Sequence, residues 1–329
     1  MADDTDELHE TLAARVGQPM GAGGPSEGPD AVNVPMIRHW VDALDDRNPV
    51  YTDEEAAAAS RFGGLVAPPA MLQTWTMLRP RIEGIAARGG AADEIDPDSP
   101  IALLGDAGFP GIVATNSQLE FVRYLRIGDR VRSATALEDV SERKVTALGE
   151  GYFVTWGTTY TDADDEVVGR QHFRVYKFRP GAGAPPDPSR PKRSAPAEVP
   201  PTGEELPPFE LNVTATVIVA GAIASRDFMP AHHDRGFAQG QGAPDIFMNI
   251  LTTNGYVARY VTDWAGPEAM VRAIDIRLGA PAIPDHPLRF TGHVVADRRE
   301  GDERVLDVAV RAANSLGPHA TGTVTLSLP

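Results

Sequence analysis

The 329-residue chain contains no cysteine. This absence excludes a disulfide framework, thiolate metal ligands and a cysteine nucleophile, and it is typical of a protein from a reducing compartment. No apolar run approaches the roughly 20 residues that a membrane-spanning helix needs. The N-terminus also lacks the basic flank and the apolar core of a signal peptide. We therefore expect a cytoplasmic protein.

Positive charge is scarce, because 30 Lys and Arg face 46 Asp and Glu and leave a net charge of −16. This balance argues against nucleic acid or an anionic membrane as the main partner, although a local basic patch could still bind an anionic ligand. The sequence also lacks a P-loop, a convincing G-x-G-x-x-G and a G-x-S-x-G elbow, so Ser225 has little support as a nucleophile.

Two segments of unusual composition divide the chain. Residues 1–32 carry seven acidic side chains and one basic side chain, which predicts a disordered acidic tail. Residues 180–208 hold ten prolines in 29 positions, which predicts an extended linker. The remaining residues, 33–179 and 209–329, are predicted to form an N-terminal and a C-terminal folded domain.

Both folded halves combine apolar helices with alternating strands. In the first half we predict helices over 35–44, 54–60 and 69–78, and strands over 131–140, 152–161 and 167–178. In the second half we predict a strand over 210–219, a helix over 245–261, and strands over 271–279, 288–296, 304–313 and 320–328. A buried helix followed by antiparallel strands predicts an α+β layer. The repeated order indicates an internal duplication whose halves pair side by side.

A short frame occurs once in each half, as DRNPVYTD at 46–53 and DFMPAHHD at 227–234. In the second copy, Asp227 and His232 lie on either side of Pro230, so a turn could direct both side chains to one point. A carboxylate and an imidazole that converge on one water form a general acid/base pair, and a histidine pKa of about 6.5 suits that role. The alternative is that Asp227 caps the following helix and the histidines lie on the surface.

His232, His233 and Asp234 also permit a metal site. Adjacent histidine side chains usually diverge, and the other histidines of the chain show no ligand spacing. We therefore predict no metal, and we expect Asp234 to cap a helix that begins near Arg235.

The segments DFMPAHHD and PDIFMNIL resemble the MaoC-like hydratases. The resemblance covers about residues 33–178 and 209–329, and it implies a double hotdog fold with two antiparallel sheets, each wrapped around a long central helix. Asp227, Pro230 and His232 occupy the signature positions of the family, whereas Met229 replaces its usual asparagine. Residues 232–269 are similar to the catalytic subunit of the steroid side-chain enoyl-CoA hydratases within this family. The chain thus resembles a fused form of a degenerate and a catalytic hotdog.

The resemblance implies that the protein hydrates a trans-2-enoyl-CoA, with a bulky steroid side chain, to a 3-hydroxyacyl-CoA. Asp227 and His232 would hold the water together, and the backbone N–H near Asn249 would stabilise the enolate. The coenzyme A thioester is the substrate, and no other cofactor is expected. The first half would be silent, because Tyr51 replaces the histidine and prolines at 68 and 69 have no N–H.

Further residues could bind the substrate. The coenzyme A phosphates need cations, which either of two arginine sets could supply: Arg272, Arg277 and Arg289 in the second half, or Arg123, Arg126, Arg130 and Arg132 in the first. Each arginine could instead be an exposed strand residue. Trp75 and Met71 could line the acyl cavity, although apolar residues at helical spacing are usually plain core.

Three other functions stay open at this point. The protein could be a hydratase or dehydratase for fatty or branched enoyl-CoA, or a thioesterase, which shares the hotdog fold but usually lacks the Asp-x-x-Pro-x-His frame. It could also be a non-catalytic acyl-CoA-binding scaffold for a thiolase-like or aldolase-like partner. A retained Asp227 and His232 pair argues against a scaffold. A homodimer and an association with a thiolase-like aldolase are the assemblies that we consider.

Overall fold

The structure is a computed structural model that describes residues 3–20, 25–88, 90–91, 96–181 and 203–329. Its helices are α1 (Asp3–Ala13), α2 (Val34–Leu44), α3 (Pro49–Thr52), α4 (Glu54–Ala59), α5 (Pro100–Asp106), α6 (Ala215–Ala224), α7 (Arg235–Gly240) and α8 (Ile250–Ala265). Short 3-10 turns span Pro69–Met71, Gln73–Thr76 and Pro230–His232. Within this part of the chain, none of the helices combines the length and the hydropathy that a bilayer crossing requires.

The strands are β1 (Ser26–Glu27), β2 (Gly111–Phe121), β3 (Arg132–Val140), β4 (Lys144–Thr146), β5 (Gly149–Thr161), β6 (Val167–Pro180), β7 (Glu205–Leu211), β8 (Met270–Leu278), β9 (Leu288–Glu300), β10 (Glu303–Asn314) and β11 (Gly317–Leu328). They form one sheet in the order β1-β3-β5-β6-β2-β8-β11-β10-β9-β7, with β4 beside β5. The halves join where β2 pairs antiparallel with β8, from Asn116 opposite Arg277 to Glu120 opposite Ala273. Each half thereby covers a free edge of the other, as the side-by-side prediction requires.

Both halves share one apolar core. Trp40 and Trp75 of the first half belong to the same buried cluster as Tyr256 and Phe290 of the second. Helix α8 approaches α2 closely at Gly255, where a Cβ would lie 2.3 Å from Cδ2 of Leu44. The two halves are therefore packed through side chains as well as joined through the sheet.

Most predicted elements are confirmed. Helix α2 and strands β3, β5, β6 and β8 to β11 match the predicted positions within a few residues. Helix α8 begins at Ile250 rather than at 245, because the side chain of Asn249 accepts a hydrogen bond from the N–H of Thr252 (2.8 Å) and caps the helix. Strand β2 and helix α5 were not predicted.

The predicted strand over 210–219 is wrong beyond its first residues. The extended chain ends with β7, and the side chain of Thr214 accepts a hydrogen bond from Val217 N (3.2 Å) to start α6. The apolar run continues through Ala224, a length typical of a helix. Periodicity alone cannot distinguish a buried strand from a helix that is apolar on all sides.

The central helix predicted over 69–78 is also different. The structure has two 3-10 turns there, and the chain becomes extended at Met77 (φ −63°, ψ 125°), ahead of a proline at position 80. Among the described residues, a long central helix occurs in the second half alone, as the 16-residue α8.

The N-terminal acidic segment is not wholly disordered, contrary to the prediction. Helix α1 lies within it, and β1 pairs with β3. Leu12 is buried in a second apolar cluster with Leu104 and Tyr152, and Leu8 packs against that cluster. Leucines four residues apart give α1 one apolar side, which net charge did not reveal.

The predicted linker, 180–208, is shorter at its C-terminal end. Its central part, 182–202, lies outside the described residues. Strand β7 takes up 205–208 and pairs with β9 at the end of the sheet, and the pairing register shifts between Leu206 and Phe209. Prolines at 207 and 208 fit this place, because an edge strand tolerates a missing N–H.

Candidate active site

The end of helix α6 fixes the backbone of Asp227. Arg226 takes up a left-handed conformation (φ 60°), and its N–H donates to the carbonyl of Ile223 (3.0 Å). The N–H of Asp227 then donates to the carbonyl of Ala222 (2.9 Å). This pair of bonds is a Schellman motif, which ends a helix and turns the chain sharply.

The 3-10 turn after Pro230 returns His232 to Asp227. Nε2 of His232 lies 3.4 Å from Oδ2 of Asp227, and the two side chains are only 8% and 20% exposed. Nδ1 of His232 lies 2.7 Å from the carbonyl oxygen of Phe247. Because a carbonyl only accepts, Nδ1 carries a proton, and Nε2 is the nitrogen that can exchange a proton beside Asp227.

The Asp227 carboxylate has two further partners. Oδ1 accepts a hydrogen bond from the N–H of Met229 (3.2 Å), and Oδ2 accepts one from Nδ2 of Asn249 (2.9 Å). Nδ2 of Asn249 also donates to Oγ of Ser225 (2.8 Å). Asn249 therefore both caps α8 and orients Asp227, a side-chain role that the sequence analysis missed. The only sequence signal was an asparagine directly before a helix.

The surroundings of the two side chains favour a negative Asp227 carboxylate and a positive His232 imidazole. Burial alone would raise the pKa of Asp227, but the charge and hydrogen bond of His232, with hydrogen bonds from Asn249 and Met229, outweigh it and lower that pKa. Burial alone would lower the pKa of His232, but the Asp227 carboxylate and the Phe247 carbonyl raise it above the ordinary value. Because the two groups interact, they exchange protons as one unit.

The first half repeats this backbone geometry. Asp45 is left-handed (φ 49°) and its N–H donates to Asp42, while the N–H of Asp46 donates to the carbonyl of Val41 (2.9 Å). Oδ1 of Asp46 accepts a hydrogen bond from the N–H of Asn48 (3.0 Å). The repeated sequence frame thus corresponds to a repeated helix end, turn and carboxylate.

The first half lacks the imidazole. Tyr51 is buried and forms a hydrogen bond with Tyr124, whose hydroxyl accepts a hydrogen bond from Val271 N (2.8 Å). Burial raises the pKa of Tyr51, so its phenol cannot act as a base at neutral pH. Burial also raises the pKa of Asp46 to about 6.

The structure also bears on the other roles that the sequence suggested for residues near Asp227 and His232. Ser225 is fully buried, and its Oγ donates to Ala222 (3.1 Å), so it does not form a triad with His232. Asp234 caps α7 as predicted, because its side chain accepts from Phe237 N (3.0 Å). His233 is exposed beside the turn. Across the described ranges, no cluster of three or more His, Asp or Glu could hold a metal ion.

The predicted substrate-binding residues are either exposed, paired with other charges or buried in the core. Arg272 forms an ion pair with Glu303, and Arg277 and Arg289 are exposed on β8 and β9. Among described residues, no hydrogen bond or ion pair links these arginines to the catalytic pair. Trp75 and Met71 are 1% and 0% exposed in the shared core. Binding of coenzyme A or an acyl chain by these residues stays a prediction, as does oxyanion binding by the Asn249 backbone N–H.

A segment of the first half covers the turn between Asp227 and His232. Gly90 has φ 89°, and a Cβ there would lie 2.4 Å from Sδ and 2.9 Å from Cα of Met229. In the first half, Oδ1 of Asn48 accepts from Val50 N (3.2 Å), whereas Met229, at the equivalent position, has no such acceptor. The catalytic turn thus relies on packing where the first copy uses a hydrogen bond.

Comparisons with known proteins show the family to which the chain belongs. A family model described as the FAS1-like dehydratase domain region matches residues 20–171. The beta subunit of 3-oxo-4,17-pregnadiene-20-carboxyl-CoA hydratase from Mycobacterium tuberculosis is 46% identical over 126 residues, which cover 38% of this chain and 95% of that protein. The chain belongs to the MaoC-like hydratase and dehydratase family.

The alpha subunit of the same Mycobacterium tuberculosis hydratase is 44% identical over 168 residues, which cover 50% of this chain and 51% of that protein. The chain thus spans about half the length of the curated alpha subunits it matches. A solved MaoC-like dehydratase superposes with a TM-score of 0.71 at 23% identity, covering 96% of this chain and 99% of that one. The predicted double hotdog fold is thereby confirmed. The two predicted sheets are instead one continuous sheet, and the long central helix predicted for the first half is replaced by 3-10 turns.

Proposed function

We propose that this MaoC-like protein hydrates a trans-2-enoyl-CoA to a 3-hydroxyacyl-CoA. The observation that carries the proposal is the buried pair, with Nε2 of His232 at 3.4 Å from Oδ2 of Asp227. The bond from Nδ1 of His232 to Phe247 leaves Nε2 as the proton-exchanging atom. A carboxylate and an imidazole so placed can orient one water and exchange its proton.

The proposed reaction adds the elements of water across one double bond. The water oxygen attacks the β-carbon while the Asp227 and His232 pair accepts a water proton. The electron pair of the double bond moves to the thioester oxygen and forms an enolate. The α-carbon then takes a proton from the pair as the thioester carbonyl re-forms. No redox cofactor is needed, because the acyl group is neither oxidised nor reduced overall.

The enolate oxygen needs a hydrogen-bond donor, and the start of α8 offers one. Asn249 lies at the N-cap of this 16-residue helix, and its backbone N–H has no acceptor among the described residues. Helix N-termini favour negative charge, and a donor aimed at a developing oxyanion lowers the barrier. In the first half the equivalent helix start contains prolines at 68 and 69, which cannot donate.

A bulky, steroid-derived acyl group is the substrate class that the relatives favour. Both the alpha-subunit and the beta-subunit matches are to proteins named as 3-oxo-4,17-pregnadiene-20-carboxyl-CoA hydratase. The two matches cover 50% and 38% of this chain, which supports a fused arrangement of the two hotdogs. In that arrangement the second half supplies the catalytic pair, and the first half contributes Trp75 and Met71 toward the acyl group.

One assay separates this function from its alternatives. The full chain is mixed with enoyl-CoA esters ranging from short and branched chains to steroid side chains. The absorbance of the conjugated thioester and the free thiol are followed together. Hydration removes the absorbance and releases no thiol, whereas a thioesterase releases thiol. Binding without either change, across the whole series, would indicate a scaffold and refute the proposal.

A further inference from the structure

Arg226, the residue before Asp227, has a backbone conformation that arginine rarely adopts. Its φ is 60°, and the other described non-glycine residues with positive φ are Asp45, Asp165 and Asp285. Aspartate tolerates the left-handed region, because its short side chain can bond nearby backbone, whereas arginine gains no such help. The left-handed turn closes the Schellman motif that places Asp227. A contact elsewhere must therefore favour this conformation of Arg226.

That contact is with Asp30, which lies in the other half of the protein. Nη1 of Arg226 is 3.3 Å from Oδ2 of Asp30, and the Arg226 side chain is only 15% exposed. The second carboxylate oxygen of Asp30 faces Nη2 of Arg79 at 3.6 Å. Asp30 therefore links the catalytic turn to two places in the first half.

The segment around Asp30 is anchored through its backbone. The N–H of Gly28 donates to Val131 (2.8 Å), and the N–H of Val32 donates to Asp129 (2.8 Å). Gly28 also packs against the carbonyl oxygen of Trp75, from which a Cβ would be only 2.1 Å away. Asp30 is thus a fixed anchor, and the guanidinium of Arg226 has one defined place to bind.

We propose that Asp30 is a positioning residue for Asp227. By holding the side chain of Arg226, it stabilises the left-handed turn that directs the catalytic carboxylate toward His232. The proposal rests on the hydration activity proposed above. Exposed ion pairs usually contribute little to stability, but this one is largely buried on the arginine side and joins the two halves.

The direct test is Asp30→Ala, with turnover measured on the enoyl-CoA that the wild type hydrates. We expect kcat to fall about tenfold, which is less than the ~100-fold that a 1 Å misplacement can cost, and KM to change by less than about twofold. The matched control is Asp297→Ala, which removes an ion pair with Arg304 (2.8 Å) in the hairpin of β9 and β10. This control should keep the wild-type kcat.

Repeating the Asp30→Ala substitution in an Arg226→Gly variant shows whether Asp30 acts through Arg226. Glycine adopts positive φ without support, so Arg226→Gly removes the need for an anchor. In that background, adding Asp30→Ala should change kcat by less than about twofold. An equal loss in both backgrounds would overturn the proposal, because Asp30 would then act without Arg226.

The His232 pKa, measured by NMR titration, reports the position of Asp227 without any turnover. Asp30→Ala should lower this pKa toward the ordinary value, because the carboxylate moves away, whereas Asp297→Ala should leave it unchanged. If the wild type hydrates no substrate but Asp30→Ala still shifts His232, the proposed function fails and the positioning role stands. If the wild type hydrates substrate and Asp30→Ala alters neither kcat nor this pKa, the positioning role is overturned alone.

Discussion

Nδ1 of His232 donates a hydrogen bond to the carbonyl oxygen of Phe247 at 2.7 Å. This bond selects the tautomer and holds the ring in one orientation, with Nε2 toward Asp227. The Phe247 carbonyl belongs to the segment directly before α8. The same segment contains Asn249, whose side chain donates a hydrogen bond to the Asp227 carboxylate. Both members of the pair are thus oriented by residues 247–249.

Removing either member of the pair should abolish most of the activity. Asp227→Asn or His232→Ala is expected to lower kcat by about 10²–10⁴-fold, the range for a general acid/base group. The loss of thioester absorbance gives kcat, and circular dichroism checks that the fold persists. His233→Ala is the matched control, because that ring is exposed one residue away. Wild-type rates in both active-site variants would show that the site is assigned wrongly.

Substitutions of Asn249 can separate its role as the cap of α8 from its role as a hydrogen-bond donor to Asp227. Asn249→Asp keeps an N-cap acceptor, so any fall in its urea midpoint should come from the new charge beside Asp227 and not from loss of the cap. It also replaces the amide donor to Asp227 with a like charge, which should raise the Asp227 pKa and lower kcat by about 10-fold or more. Asn249→Ala should lose both the cap and activity. An active Asn249→Asp enzyme would show that the amide is only a cap.

The buried Asp46 carboxyl should make stability depend on pH. Its pKa is raised from the ordinary 3.8 to about 6, so the folded state retains its proton more readily than the unfolded chain does. This contribution is fully present below 3.8 and is lost as the pH rises through about 6. A shift of about two pKa units corresponds to about 3 kcal/mol.

Relative to the wild type, the free energy of unfolding of Asp46→Asn should therefore be about 2 kcal/mol higher at pH 8 than at pH 4, because the wild type loses most of the Asp46 contribution over that range. The amide oxygen can still accept the Asn48 N–H. Urea titrations at both pH values measure the difference, and Asp42→Asn on the exposed side of α2 serves as the control. A constant difference at the two pH values would show that Asp46 ionises normally.

Tyr51 should matter for stability and not for catalysis. Tyr51→Phe removes the hydroxyl that bonds Tyr124, at a cost of about 1 kcal/mol in the free energy of unfolding. The hydration rate should stay within about twofold of the wild type, because the first-half turn has no histidine at position 51 and no helix-start donor. If kcat instead falls as far as in His232→Ala, the first half takes part in catalysis.

Gly90 should be required by the catalytic turn. Gly90→Ala combines a positive φ with a clash against Met229, so kcat should fall about tenfold or more as the turn shifts. Gly301→Ala is the matched control, because its φ is 62° and a Cβ there meets nothing within 4 Å. Both variants should lose about 1–2 kcal/mol of stability through strain. Equal activity in the two variants would exclude a role for the Gly90 contact.

The amino-acid sequence determined the proximity of Asp227 and His232, the duplication and most strands. Asp227, Pro230 and His232 are close along the chain, so one local turn brings them together, and alternation of apolar residues marks the strands that each half contributes to the sheet. The same local reading explains why Tyr51 and the prolines at 68 and 69 predicted a silent first half.

Only the tertiary structure decided which distant groups complete the site. The Phe247 carbonyl has no side-chain signature, and the bonds from Asn249 to Asp227 and from Arg226 to Asp30 join residues 22 and 196 positions apart. The apolar run of α6 is compatible with a strand or a helix, and the structure shows a helix whose N-terminus is capped by Thr214. Such contacts depend on how packed elements meet in space, and local periodicity carries no information about that meeting.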